Sequence, residues 1–424
     1  MRKNEKSRFF YGYVIVSISF VIMTMTFGIN YSFGVFFQPL IGEFGWTRGV
    51  TSGAYSVMTF IAGFLGIFAG SLNDKFGPKI IGITAGLSLG IGFLLLSRIN
   101  AIWHFYLIHS LILPVGIGSC WPGLVPSVAR WFTVKRGLMT GIVASGIGFG
   151  ILAIPPLAGW IISHYDWRKA YMIIGILTLV VPVSLAQFLK RDPAQIGQFP
   201  YGEEGLTRID KSQEIRGLYF KQAIYTGHFA LLCGIYFCYG YCLHTVMIHI
   251  VPHAVDMGIL TASAAGILAI IGGTSIPSRI LIAGASDKIG VKPSLIMALS
   301  MLVVSLFWIH SARKLWMLYL FGALFGTAYG GVISLQALAV AELFGLRSVG
   351  VILGTITFAY TIGAAVGPVI SGYIFDIMKS YNPVFWVAAA LAVVALFLSL
   401  FVKMPGKAKG RPESPPLELI QDMS

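Results

Sequence analysis

The sequence predicts an all-α membrane protein, twelve transmembrane helices in two pseudo-symmetric six-helix bundles, and three observations carry that prediction. Only 11% of its 424 residues are charged while 56% are hydrophobic, whereas a soluble domain carries roughly a quarter charged residues to solvate its outside. The apolar residues fall into twelve long runs, each near the roughly twenty residues that a helix needs to cross a bilayer. A short charged motif in the first half of the chain recurs 213 residues later in the second.

Taken in order, the runs cover about 12–37, 52–72, 80–98, 104–130, 138–163, 169–189, 223–252, 261–285, 293–311, 316–342, 350–375 and 383–402. The first follows Arg2, Lys3, Lys6 and Arg8, a basic start like that of a secretory signal. The run from Tyr13 to Phe37 is too long for one, and no small-residue cleavage site follows it early, so it is read as the first span. Short polar turns separate most spans. The exception is Lys190 to Phe220, a polar stretch with Pro193 and Pro200 that reads as a linker between halves. The expected organisation is a bundle over 1–189, a cytoplasmic loop over 190–220, a second bundle over 221–403 and a Pro- and charge-rich disordered tail over 404–424.

The composition supports close helix packing. Glycine is abundant, at 50 residues, and small residues let membrane helices approach where lipid supplies no hydrophobic drive for association. Gly322, Gly326 and Gly330 form one stripe at helical spacing, Gly146 and Gly150 another, and Gly363 and Gly367 a third. The four cysteines, Cys120, Cys233, Cys238 and Cys242, all lie in apolar runs without CxxC or Cys/His spacing. They read as small buried hydrophobes, and no metal site is expected.

The formal charge of +14 does not point to nucleic acid, because the basic residues sit in short loops between apolar runs. Of the 30 Lys and Arg residues, 22 fall on the side holding both termini and the 2–3, 4–5, 6–7, 8–9 and 10–11 loops. Arg48, Arg98, Arg168, Lys169, Arg313, Lys314 and Lys379 fall on the other. Basic loops stay inside, so both termini are expected in the cytoplasm and the chain in the cell membrane.

The repeat sets the architecture. Asn73-Asp74-Lys75-Phe76-Gly77-Pro78-Lys79 is answered by Ser286-Asp287-Lys288-Ile289-Gly290-Val291-Lys292, and Gly141, Pro156 and Gly159 by Gly354, Pro368 and Gly372. Two halves repeated in parallel describe a secondary-transporter architecture with the substrate site between halves near the midplane. The stretch Gly70 to Lys79 resembles the signature loop between spans 2 and 3 of the major facilitator superfamily, and 286–292 occupies the matching place between spans 8 and 9. The resemblance implies a cytoplasmic gate there, with Asp74 and Asp287 pairing with a cation or helix end of a neighbouring span.

Two further stretches resemble the monocarboxylate transporter and oxalate/formate antiporter branch. One is Tyr31-Ser32-Phe33-Gly34-Val35-Phe36-Phe37 followed by Trp46 and Thr47; the other is Ile276-Pro277-Ser278-Arg279-Ile280. In that branch an arginine at this place in span 8 binds the substrate carboxylate, a role the resemblance gives to Arg279. Ser275 stands where the animal transporters carry an Asp, and Tyr31 where they carry a Lys before the SFGVFF-like run. The stretch Tyr360 to Val366 lacks the Lys that the oxalate exchanger has in span 11.

Arg279 stands out without any resemblance. It is the permanently charged side chain well inside an apolar run, where an Arg costs roughly 2.5–3.5 kcal/mol on insertion scales. Its repeat counterpart, near Leu65 and Gly66, is apolar, so the repeat does not require the charge. A guanidinium binds a carboxylate through two parallel N–H bonds, and a single cation matches a monoanion. Ser275 lies one turn away on the same face. Tyr31, Cys120, Trp121, Tyr329 and Tyr360 are mid-span candidates for the rest of the pocket. For the proton, His244 near the midplane ranks first and Asp256, at the junction of spans 7 and 8, second.

No P-loop, HExxH or Ser/His/Asp pattern is present, so the chain is not read as an enzyme, and no cofactor is expected. The expected activity is symport of a small monocarboxylate with a proton across a lipid bilayer, driven by gradients; no accessory protein is legible. Two alternatives stay open: an organic anion exchanger of the oxalate/formate type, and a non-transporting sensor that keeps the fold.

Overall fold

The computed structural model describes residues 10–202, 217–345 and 347–404. The tail from 405, the middle of the linker and the side chains of Asp74 and Asp287 lie outside the described residues. Among the described residues, twelve helices are long and apolar enough to span a membrane. Spans 1–6 are Gly12–Phe44, Arg48–Phe76, Pro78–Leu96, Ile102–Trp131, Arg136–His164 and Trp167–Ala186. Spans 7–12 are Gly227–Asp256, Thr261–Ile289, Val291–Trp308, Leu315–Phe344, Val349–Met378 and Asn382–Phe401. Span 4 carries one π-helical turn, Ile108–Ile112.

Several helices overrun their apolar runs, because a helix hydrogen-bonds its own backbone and need not stop at the bilayer surface. Span 2 begins at Arg48, expected in a loop, and runs to Phe76. The motif expected as a loop between spans 2 and 3 is therefore helix up to a hinge at Gly77, which has φ 80°. The second copy is built the same way, with span 8 reaching Ile289 and Gly290 at φ 95°. A side chain would be strained at both glycines, and Pro78, which needs no N–H partner, opens span 3.

Two compact units emerge from the packing. One draws on the described residues of Met1–Asn30, Ile61–Gly150 and Asp166–Lys211. The other draws on those of Tyr31–Phe60, Ile151–Tyr165 and Ser212–Ser424. The covalent halves and the compact units thus differ: parts of spans 1, 2 and 5 pack with spans 7–12.

In the first unit, span 3 packs on spans 4 and 6. A methyl at Gly90 of span 3 would lie 2.7 Å from the Leu179 Cα of span 6. The predicted stripe at Gly146 and Gly150 faces span 1, whose Phe20 carbonyl oxygen would lie 2.7 Å from a methyl at Gly146. The start of the linker is held here too: Trp131 Nε1 donates to the Lys190 carbonyl at 3.2 Å and Tyr11 Oη to that of Phe188 at 2.9 Å.

In the second unit, span 7 packs on spans 11 and 12, and span 10 on spans 8 and 9. Span 7 is the interior helix, with 78% of its apolar window buried. The stripe at Gly363 and Gly367 lies against span 7, where a methyl at Gly363 would sit 2.9 Å from the Phe237 carbonyl carbon. Gly326 brings span 10 equally close to Ile271 of span 8. Large apolar side chains such as Leu111, Val180, Ile280 and Phe397 are exposed, as helices bathed in lipid require.

Candidate functional site

A connected polar and aromatic network runs through the second unit. Arg279 sits ten residues before the end of span 8 at Ile289, about 15 Å of helix at 1.5 Å per residue. That depth explains its partners. Its Nη2 donates to Tyr329 Oη at 3.1 Å, and its guanidinium carbon lies 5.2 Å from the Tyr329 ring centroid. The phenol gives the half-buried cation a hydrogen-bond acceptor and a π-face. Ile280 and Leu281, next along the helix, are each 69% exposed, so span 8 turns one face to lipid and another to the network.

From Tyr329 the network continues into span 7. Tyr239 Oη donates to the Tyr329 carbonyl at 3.1 Å, and its ring stands 5.8 Å from that of Tyr360 in span 11. The hydroxyls of Tyr360 and Tyr31 are hydrogen-bonded. Around His244 stand Tyr360 at 5.6 Å, Tyr31 at 5.9 Å and Tyr55 at 6.1 Å between ring centroids. Nδ1 of His244 is 3.2 Å from the Gly240 carbonyl of its own helix. A carbonyl only accepts, so Nδ1 carries the proton and Nε2 is the basic nitrogen of the neutral ring. Arg279, Tyr329, Tyr360, Tyr31 and His244, selected from the sequence one by one, therefore form one constellation from five helices. Such a set can grip an anion through the guanidinium and tyrosine hydroxyls, and can hold one proton on an imidazole.

The other candidates make separate contacts. Ser275 is fully buried and its Oγ donates to the Gly272 carbonyl at 2.7 Å, a bond within its own helix. Cys120 and Trp121 belong to the first unit. Cys120 is buried and accepts from Thr26 Oγ1 at 3.5 Å, while Trp121 is 41% exposed. Asp256 ends span 7 and pairs with Arg48 at 2.8 Å. Asp74 and Asp287 end their helices beside the two glycine hinges.

Tyr55 and Tyr239 were missed. The available signal was the run Tyr236, Tyr239 and Tyr241 in the middle of span 7, since membrane anchors place aromatics at helix ends. The group around Arg48 was missed too, because its members, Asp256, Asp376 and Tyr381, lie more than 200 residues away in sequence.

Comparison with known proteins agrees with this picture. The family model described as Major Facilitator Superfamily matches residues 16–312 and 276–421. Monocarboxylate transporter 13 of Bos taurus is 25% identical, over 90% of this chain and 86% of the relative. Monocarboxylate transporter 4 of Rattus norvegicus is 24% identical, over 90% and 80% respectively. A bacterial homologue of the human lysosomal transporter Spinster, solved in an inward-facing and occupied conformation, shares the fold with a TM-score of 0.72 at 13% identity, over 96% of this chain and 100% of that one. Fold and relatives are those of transporters rather than enzymes. With twelve spans, a doubled hinge motif and a family match over most of its length, the chain belongs to the Major Facilitator Superfamily, and the relatives it matches there are monocarboxylate transporters.

Proposed function

We propose that the protein carries a small monocarboxylate together with a proton across the cell membrane, by rocking of its two six-helix halves, over 1–189 and 221–403, about a site centred on Arg279. One observation carries the reading: a guanidinium deep in span 8, held by Tyr329 and joined through Tyr239 and Tyr360 to His244. The fork of N–H donors suits one carboxylate. His244 Nε2 is the proton acceptor, close enough to the same tyrosines that charge on one site is felt at the other. Asp74 and Asp287, at the ends of spans 2 and 8, gate the cytoplasmic side, and both termini face the cytoplasm. The relatives' names and the basic loops support this assignment.

The test is uptake of labelled lactate and related acids by proteoliposomes with an imposed pH gradient. Accumulation driven by outside acid, abolished by a protonophore, is the expected result. Transport only against a preloaded counter-anion, indifferent to the gradient, would replace symport with exchange. Binding without any uptake would make the chain a sensor.

A further inference from the structure

A second polar cluster lies in the same unit, at the end of the spans that carries the 1–2, 7–8 and 11–12 loops. It begins with the start of span 2, whose first N–H groups have no partner within the helix. Asp376, near the end of span 11, takes two of them: Arg48 N–H to Oδ1 at 2.9 Å and Gly49 N–H to Oδ2 at 2.6 Å. Thr47 Oγ1 takes the Val50 N–H at 3.3 Å. A carboxylate from a distant helix therefore caps span 2, where the helix dipole favours a negative charge.

The Arg48 side chain closes the arrangement. Nη2 donates to Asp256 Oδ1 at 2.8 Å, Nη1 donates to Tyr381 Oη at 2.6 Å, and the guanidinium carbon lies 3.8 Å from the Phe375 ring centroid. Gln38 of span 1 donates to the same Asp256 oxygen at 2.8 Å. His249 Nε2 is 2.9 Å from the Pro368 carbonyl and so carries a proton, which leaves Nδ1 to accept from Tyr381 Oη at 3.2 Å. The chain runs from span 11 through His249 and Tyr381 to Arg48 and on to span 7. Arg48 is only 9% exposed. The backbones must meet for this to form, and they do: a methyl at Gly372 would lie 2.7 Å from the Arg48 carbonyl oxygen, and one at Gly34 2.8 Å from that of Ile248.

Together with the ring contacts of Tyr31 and Tyr55 around His244, these contacts tie residues 31–60, from the first covalent half, to spans 7 and 11. If the halves rock, this junction has to part whenever the substrate path opens toward the 1–2 loop. We infer that Arg48, Asp256, Asp376 and Tyr381 form a lock that holds that side shut, with Arg48 as its bolt. A cation clasped by acceptors from span 7 and the 11–12 loop suits a reversible lock. Parting exposes Arg48, Asp256 and the first N–H groups of span 2 to water, which replaces their partners. A buried apolar seam would gain nothing comparable on opening. The inference rests on the alternating-access reading and not on the substrate.

The test uses a single cysteine at Ser56, 7% exposed and two turns into span 2 from Arg48, in full-length protein with the four native cysteines replaced. A charged, impermeant thiol reagent is applied from either side of reconstituted vesicles, so no substrate is needed. Failure here leaves the monocarboxylate reading standing, and the reverse. Arg48→Gln and, separately, Asp376→Asn are expected to speed modification about tenfold for reagent on the 1–2 loop side alone, with Tyr381→Phe intermediate. Rates within twofold of the parent in both variants overturn the lock, as does an equal rise from both sides, which means general loosening. Should Arg48→Gln not be made as folded protein, Asp376→Asn and Tyr381→Phe decide by the same criterion.

Discussion

Replacing Arg279 by Gln removes the charge and the planar fork while keeping a side chain of similar polarity. In the structure the guanidinium is half-buried and already engaged by Tyr329 at 3.1 Å, so it is pre-positioned rather than floppy. Losing one partner of a charge-assisted contact in a partly desolvated site costs about 2–5 kcal/mol. With water partly present, the lower end applies, which is about 30-fold in affinity at 1.4 kcal/mol per tenfold. Arg279→Lys keeps the charge but not the bidentate geometry and should retain weak transport. Tyr329→Phe leaves the cation and removes only the hydroxyl that orients it. A hydrogen bond to a charged group is worth about 1.5–3 kcal/mol, so roughly tenfold weaker binding is expected from that change. The assay is thermal protection of purified protein by a series of carboxylic acids, followed by uptake in proteoliposomes. Wild type should be stabilised by a monocarboxylate and Arg279→Gln should not, with the unliganded melting temperature falling less than the activity. Arg279→Gln that binds and transports like wild type would refute the assignment. Better protection of wild type by oxalate than by every monocarboxylate would mean that a second cation reaches the site.

Three further outcomes are expected. His244→Gln should weaken acid-driven accumulation while leaving substrate-for-substrate exchange largely intact; unchanged accumulation in His244→Gln would take the proton off His244. Cysteines at Leu260 and Tyr225, 78% and 80% exposed, should label from outside and inside intact cells respectively, and the reverse pattern would invert the topology. Gly363→Val should prevent close packing of spans 7 and 11, because its first carbon already lies 2.9 Å from the Phe237 carbonyl carbon. Overpacking of this kind costs about 1–3 kcal/mol or more, read as a lower melting temperature in detergent; an unchanged value would show that the two helices can part without loss.

The twelve spans, the repeat and the charge in span 8 were legible in the sequence because each is a local property. A run of apolar residues is long enough to cross lipid or it is not, and an arginine inside such a run is conspicuous whatever surrounds it. The glycine stripes were legible for a related reason, since residues three or four apart share a helix face. Helix ends were less so: span 2 was expected to begin after Arg48, yet the helix starts there, because the carboxylate that caps it comes from Asp376 in span 11. Partnerships were not legible at all. Nothing near Ser275 says that its hydroxyl is satisfied by Gly272. Nor does anything near Arg48 say that Asp256 and Tyr381 will surround it. The sequence alone determined which groups must be kept from lipid, through the cost of burying charge and bare backbone. Only the tertiary structure decided which of them meet, because hydrogen bonds and ion pairs are settled by distances of a few ångströms between segments whose separation along the chain carries no record of their separation in space.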